Sequence, residues 1–430
     1  MAIDRRRFLE LAGAAAATGG TVALAGCTSS CPDSDRPTPD RTISIRETPA
    51  GPFDEPPPGD WPTLHGTGGR TGFAGGSLPD RLGVRWRTDL DVPSTDEGSL
   101  STSAPTVGDG TVVVADSRRV HALSIRTGEH RWRSDPLPVT VHDTLYEYQA
   151  NTVSPAIGPG GDVYVGTREG LTALDGSDGS VRWAVGGMTD VAPPAVTDEG
   201  VFALGRESIT ATDRSGEERW RRSVARGAPP VAPALGDSIV VVAADDGVRG
   251  LDPATGDERW TANRRIETYP VVDDGACFVG TTEGLHAIDV ASGAEDWTFS
   301  RGDYRALLSP VITSDTIYVV EQPGEAGAAS FALDRTDGTP DPRWCSYVGS
   351  GAVTAATDGL ALAILSIGEG PDAAQAIVAF SKSLGQARWA IEGGSRPRDW
   401  VTPPAVVDGA VVATTRGGTI VALGEVGTDG

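Results

Sequence analysis

The sequence predicts an all-β fold, an eight-bladed β-propeller of four-stranded blades whose ring is closed by an N-terminal strand that completes the last blade. Three observations predict it. Tryptophan recurs about every 43 residues, at Trp86, Trp132, Trp183, Trp220, Trp260, Trp297, Trp344 and Trp389. The text between these tryptophans repeats in a fixed order. The first of them stands before any complete unit, and the last unit has none.

Each unit predicts four strands. In one, Ala104-Pro105-Thr106-Val107 leads to Asp109-Gly110, to the β-branched run 111–114, to Val120-His121-Ala122-Leu123, to Thr127-Gly128 and to Arg131-Trp132. The apolar residues after proline form strand A, the β-branched run strand B, the piece ending in Ala-Leu strand C, and the tryptophan segment strand D. Asp-Gly and Thr-Gly pairs between them are tight turns, because glycine takes positive φ without a Cβ clash. The aspartate before the C–D turn, as at Asp175, Asp252 and Asp289, can accept hydrogen bonds from turn amides. Further units open at Ser154-Pro155-Ala156, Pro194-Ala195, Pro233-Ala234, Pro270-Val271, Pro310-Val311, Val353-Thr354 and Pro404-Ala405. The last, 404–423, holds strands A to C only. Val84-Arg85-Trp86-Arg87 supplies its strand D, so both chain ends share one blade. A linear array would instead expose two faces and need caps.

The organisation that follows is an export signal over 1–27, a tether over 28–58, a propeller over 59–424 and a tail over 425–430. The N-terminus reads Arg5-Arg6-Arg7-Phe8-Leu9, followed by a weakly apolar Ala/Gly run to Gly26. That run is too weak for a membrane span, which needs ~20 strongly apolar residues. Arg5, Arg6, Phe8 and Leu9 resemble a twin-arginine export signal. Leu24-Ala25-Gly26-Cys27 resembles a lipobox, in which Cys27 takes a lipid. The expected location is the outer face of the cytoplasmic membrane, reached through the lipid alone. Residues 28–58 are rich in Ser, Thr, Pro and Asp and are read as a disordered tether.

Composition narrows the partners. Asp and Glu total 59 against 36 Lys and Arg, a formal net charge of −23. All but one of the basic residues are arginine, the exception being Lys382. Such a surface repels nucleic acid and anionic headgroups. The acidic, lysine-poor composition resembles that of salt-loving archaea. The four cysteines, Cys27, Cys31, Cys277 and Cys345, are too few for a disulfide scaffold. Cys277 and Cys345 fall within repeats and are read as small buried hydrophobes.

The Ala-Leu-Asp…Thr-Gly…Trp pattern, from about Trp61 to Leu423, resembles the PQQ-repeat family of quinoprotein-like propellers. The opening Trp61-Pro62-Thr63-Leu64-His65…Arg70-Thr71-Gly72 resembles that family's lead-in segment. The resemblance implies that the eight repeat tryptophans dock neighbouring blades. It also raises an alternative, a dehydrogenase using PQQ with calcium. Family dehydrogenases hold these with Glu, Asn and a catalytic Asp, and many stack the quinone on a vicinal disulfide. This chain has no Cys-Cys pair and only Asn151 and Asn263, and its short spacings leave little room for pocket-building insertions. His65, His121, His130, His142 and His286 show no metal-ligand spacing. Neither catalytic nor cofactor-binding residues are assigned.

A partner face is expected where D-to-A connections cross the ring, since loops on a rigid scaffold carry binding residues. These connections bring His142, Tyr146, Tyr148, Arg264, Arg265, Tyr269, Tyr304, Arg305, Arg398 and Trp400. Arginine and aromatics are favoured at binding hot spots. The B–C connections 321–329 and 366–376 are read as flexible loops. The expectation is a monomeric, non-enzymatic scaffold for an unknown protein or envelope component, with a solute or polysaccharide binder as a further alternative. The anchor is directly testable: Cys27→Ser should release the protein into the medium, and fractionation showing undiminished membrane retention would refute lipidation.

Overall fold

The computed structural model describes residues 38–92, 102–140, 153–224, 231–264, 266, 268–300, 305–307, 310–322, 328–348, 351–367, 374–394, 399 and 401–427. These residues form eight separate sheets and the fold is an eight-bladed β-propeller, as the repeat predicts. Strand β1 is Arg41–Ser44 and β2 is Leu82–Asp89. Blade one comprises β3 (Thr106–Gly108), β4 (Thr111–Ala115), β5 (Val120–Ser124) and β6 (His130–Arg133), each antiparallel to the next. The other blades follow at 156–186, 195–223, 234–262, 271–299, 305–348, 351–394 and 405–425.

The ring closes where the sequence places it. Strand β2 pairs antiparallel with Thr419–Glu425, from Leu82 opposite Glu425 to Asp89 opposite Thr419. Strand A of blade eight touches strand A of blade seven on one side and β3 on the other. The residue expected to start the tail, Glu425, is therefore the last rung of this ladder.

A repeated joint holds neighbouring blades together. The indole N–H of Trp86 donates to the Ile125 carbonyl of blade one at 2.7 Å. Trp132, Trp183, Trp220, Trp260 and Trp344 donate in the same way to Gly176, Arg214, Pro253, Val290 and Ser381, at 2.7 to 3.1 Å. Each ring lies over the turn glycine of the next blade. A Cβ on Gly256 would stand 2.5 Å from Trp220, and one on Gly179 2.4 Å from Trp132. The Thr-Gly signature therefore serves both a positive φ and a close indole. Trp297 packs likewise on Gly338. Trp389 faces the blade that the chain ends share and is buried in the core joining blades seven, eight and one.

The turn aspartates act as the sequence suggests. Asp252 Oδ1 accepts the Ala254 and Thr255 amides at 2.8 and 3.0 Å, and its Oδ2 accepts Arg259 at 2.6 Å. Asp175 repeats the arrangement with Ser177 and Arg182. The Arg259 hydrogen bond, then those from the turn amides, lower the Asp252 carboxyl to about 2.

Two expectations need correction. Residues 38–58 are not tether. In Thr42-Ile43-Ser44-Ile45 apolar and polar residues alternate, so Ile43 of β1 and Ile45 just after it are buried while β1 pairs parallel to Ala387–Gly394 as a fifth strand of blade seven. The chain then runs along the closure seam, with the Ala50, Gly51 and Phe53 amides bonded to the Val84, Arg85 and Arg126 carbonyls. The B–C connections are also shorter than expected. Glu321 pairs with Ala329 and Ser366 with Gln375, so both hairpins extend into the presumed loops. In blade seven Leu365 and Ala376 are buried, which locks the register and carries the ladder outward. Cys277 is a free, buried cysteine whose thiol burial pushes up. Cys345 lies in a strand, with its side chain outside the described residues.

A carboxyl held low stabilises the fold above its unfolded value, near 4, and that stabilisation is lost as pH falls through the folded value, about 2 for Asp252. Asp252→Asn should therefore lower the melting temperature at pH 7, with the gap to wild type closing between pH 4 and 2. A gap that persists unchanged at pH 2 in scanning calorimetry would contradict this role.

Candidate functional site at the ring axis

The segment between the seam and β2 makes the site. Residues 58–77 run once around the inside of the ring and bond the innermost strands in blade order. The Asp408 amide of blade eight donates to the Pro58 carbonyl, and Trp61 and Val107 of blade one exchange two hydrogen bonds at 2.7 and 2.9 Å. The amides of Ile157, Leu235, Val272, Ile312 and Ala356, from blades two, four, five, six and seven, donate to the carbonyls of Pro62, Gly68, Gly69, Thr71 and Gly72. The circuit ends back at blade eight, where the Gly409 amide donates to the Ser77 carbonyl. Glycine is required where the approach is closest: a Cβ on Gly69 would lie 2.0 Å from the Val272 oxygen.

Blade three is reached by a side chain. Arg70 is fully buried, and its guanidinium donates to Pro193 at 3.0 Å and Pro194 at 3.3 Å in blade three, to Pro233 at 2.7 Å in blade four, and to Leu64 at 3.0 Å. Three of these carbonyl oxygens lie just before a strand A, and the fourth, Leu64, belongs to the lead-in itself. Burial lowers Arg70 to about 10, which leaves it charged at neutral pH.

His65 and Tyr269 occupy the same axis. The His65 Nδ1 bonds the Thr354 carbonyl of blade seven at 3.1 Å, and its ring stacks on Tyr269 with centroids 4.9 Å apart. Burial, then the nearby Arg70 charge, drop His65 to about 4 despite the Thr354 bond, so the ring is neutral at pH 7. Both His65 and Arg70 adopt left-handed backbone, with φ of 62° and 63°. Such strain in non-glycine residues persists where the surroundings over-determine it.

Of the expected partner face, Arg264 and Tyr269 are described with side chains. Arg264 pairs with Glu295 at 2.6 Å and Glu283 at 3.7 Å. Tyr269 turns inward onto His65. Arg305 opens a short strand on blade six, with its side chain outside the described residues. His142, Tyr146, Tyr148, Arg265, Tyr304, Arg398 and Trp400 lie outside the described residues, as do Arg5, Arg6, Phe8, Leu9 and Cys27. The sequence reading gave no role to His65 or Arg70. Its usable signal was a histidine and an arginine set among glycines in a segment that belongs to no repeat.

The family model described as outer membrane protein assembly factor BamB matches residues 83–205 and 205–357. The chain belongs to this family. Its members are PQQ-repeat propellers, so the resemblance read from the repeat holds. No curated protein matches the sequence. Among solved structures, BamB from Moraxella catarrhalis is 17% identical with a TM-score of 0.54, covering 79% of this chain and 100% of that one. The quinohemoprotein alcohol dehydrogenase from Comamonas testosteroni is 15% identical with a TM-score of 0.64, covering 86% and 82%. The computationally designed Ika8 protein is 15% identical with a TM-score of 0.61, covering 78% and 98%. Identities this low concern the fold alone.

The axis yields a prediction. Arg70→Met strands four carbonyls, each costing ~1–3 kcal/mol when buried without a donor. The loss should exceed ~3 kcal/mol in denaturant titration, and Arg70→Lys should recover only part of it because an ammonium lacks the planar fork. Near-wild-type stability of Arg70→Met would show that the axial clamp carries no load.

Proposed function

We propose that the protein is a non-enzymatic binding scaffold, exported and held at the outer face of the cytoplasmic membrane by lipid on Cys27, which docks a protein or other envelope component on the face crossed by the D-to-A connections. The observation that carries this reading is the filled axis. The lead-in rings the channel from within, and Arg70, His65 and Tyr269 occupy it. The broad surface of the D-to-A connections then remains for recognition. The family's description as an outer membrane protein assembly factor supports a docking role of this kind.

A calcium-held quinone suits the described axial residues poorly. Calcium takes 6–8 oxygen ligands, carboxylates prominent among them. The buried charge here is a cation, and the carbonyls around it already accept its hydrogen bonds.

Crosslinking in intact membranes followed by pull-down should recover one dominant partner. Replacing Tyr146, Arg265 and Trp400 together should abolish its capture while leaving the melting temperature unchanged; full retention rules out this face. In parallel, PQQ and calcium added to the purified protein should give neither bound quinone absorbance nor alcohol or sugar oxidation. Turnover would replace the scaffold with a dehydrogenase.

A further inference from the structure

Blades two and seven share an outer edge that no other blade has. Aligned on tryptophan, Arg182-Trp183-Ala184-Val185 of blade two matches Arg388-Trp389-Ala390-Ile391 of blade seven, and glycine follows two residues later as Gly187 and Gly393. In the remaining blades a polar residue or cysteine follows the tryptophan: Arg87, Arg133, Arg221, Thr261, Thr298 and Cys345. Strand D of blade two, Val181–Gly186, carries one charged side chain, Arg182, whereas every other outer strand carries two or more. Charged side chains are what ordinarily keep a sheet edge from pairing. Arg182 gives little such protection, because it folds back onto Asp162 and Asp175 of its own blade at 3.1 and 2.8 Å.

In blade seven this edge is paired. Strand β1 lies parallel along Trp389–Glu392, the Ile45 amide donates to the Glu392 carbonyl at 3.1 Å, and Arg388 pairs with Asp40 at 3.6 Å. Trp389 and Ile391 are buried. In blade two the same positions, Trp183 and Val185, stay part-exposed, and Val181 is 50% exposed. Leu384 is the one other large apolar side chain so exposed among the described residues. The blade-two backbone is set for the same pairing. Both outer strands carry a bulge just before the tryptophan. Val185 turns its carbonyl inward, since a Cβ on Gly170 of strand C would meet it at 2.0 Å. Backbone groups alternate along a strand, so Ala184 presents its amide and carbonyl outward. The next outward carbonyl, that of Gly186, accepts Arg221 of blade three at 3.1 Å; this bond is exposed and yields to a strand amide at small cost.

We propose that the outer edge of blade two docks an extended segment of a partner protein as a fifth, parallel strand, as blade seven takes β1. Strand β1 is committed to blade seven of the same chain, so the guest comes from another protein. Its pattern follows from the strand that the matching edge accepts: β-branched apolar residues alternating with small polar ones, as in Thr42-Ile43-Ser44-Ile45. Its apolar side chains cover Trp183 and Val185. In this mode main-chain bonds supply the affinity and the side-chain alternation the selectivity. Strand D is the outermost of its blade, so this edge lies on the rim, apart from the face crossed by the D-to-A connections.

The probe is a synthetic peptide of residues 39–47, added to the full-length, detergent-solubilised protein. Hydrogen exchange should slow at residues 181–186 when the peptide is added and stay unchanged at 387–394. Ala184→Pro removes the outward amide without breaking a bond to strand C, so in fluorescence titration it should weaken the labelled peptide about tenfold or more. Ala184→Ser keeps that amide and should bind as wild type does. A peptide of the same composition with its two isoleucines side by side should bind more weakly than the alternating one. Protection at 387–394 alone would mean that the peptide merely displaces β1. That result, no protection at all, or full affinity of Ala184→Pro would each overturn the proposal. Protection of 181–186 without peptide, together with a dimer in sedimentation, would make the guest a second copy of this chain and overturn a foreign one.

Discussion

The structure depends on closing a ring with a chain that has two ends. In seven blades the strands A to D come from one continuous stretch, and the eighth borrows β2 from the other end of the repeat region. Residues just before β2 reinforce the closure twice. The lead-in circles the inner strands, and β1 extends blade seven at its outer edge. The seam is thus gripped from the inside, along its ladder and from the outside. An open array of such sheets would expose apolar faces at both ends.

Much of this architecture could be read from residues that repeat. The indole of one blade and the glycine of the next recur together because each needs the other: a bare Cα admits the ring, and the turn carbonyls accept its N–H. Asp252 and Asp175 were legible for a similar reason, since a short carboxylate next to a turn has few other things to bond. The phase shift at Trp86 revealed the closure. Where the repeat lapses, legibility lapses as well. The path of residues 58–77 is fixed by backbone carbonyls, which carry no residue code, and by left-handed His65 and Arg70, whose type does not announce that conformation. Strand β1 escaped because two isoleucines are too short a pattern to stand out within a Pro- and Thr-rich stretch. Tyr269 looked like a surface aromatic because it shares a connection with Arg264 and Arg265, whereas the stack on His65 is visible only in three dimensions.

The candidate site shows how one fold separates scaffold from chemistry. The outer strands keep the same tryptophan joint from blade to blade at six of the eight boundaries, and variation is pushed to the axis and the connections. His121 and His286 make the same point within the blades. Both fit the repeat at strand C, yet Asp116 and His130 surround one, and Thr281, Thr298 and Glu295 the other. A repeat position can therefore keep its fold role while its hydrogen-bond partners change.

Arginine links the composition to the fold. A net charge of −23 leaves many carboxylates for few cations, and ion pairs weaken as salt rises. Many of the guanidiniums also reach for backbone carbonyls across blade boundaries, Arg221, Arg222 and Arg335 while ion-paired with Glu218, Asp257 and Asp273. Arg221 of blade three bonds Gly186 and Gly187 at the end of blade two, Arg222 bonds Thr255 of blade four, and Arg335 of blade six bonds the Asp273 carbonyl of blade five. Arg85 spans the seam by bonding Gly51, Pro52 and Glu425. Arg70 does the same at the axis, where four carbonyls share one fork. A lysine ammonium offers three clustered donors on a flexible stem and cannot span two or three carbonyls in a plane. Near-exclusive use of arginine therefore lets one side chain tie blades through directional hydrogen bonds to neutral carbonyls, which screening weakens least, beside ion pairs such as Arg222–Asp257 and Arg335–Asp273.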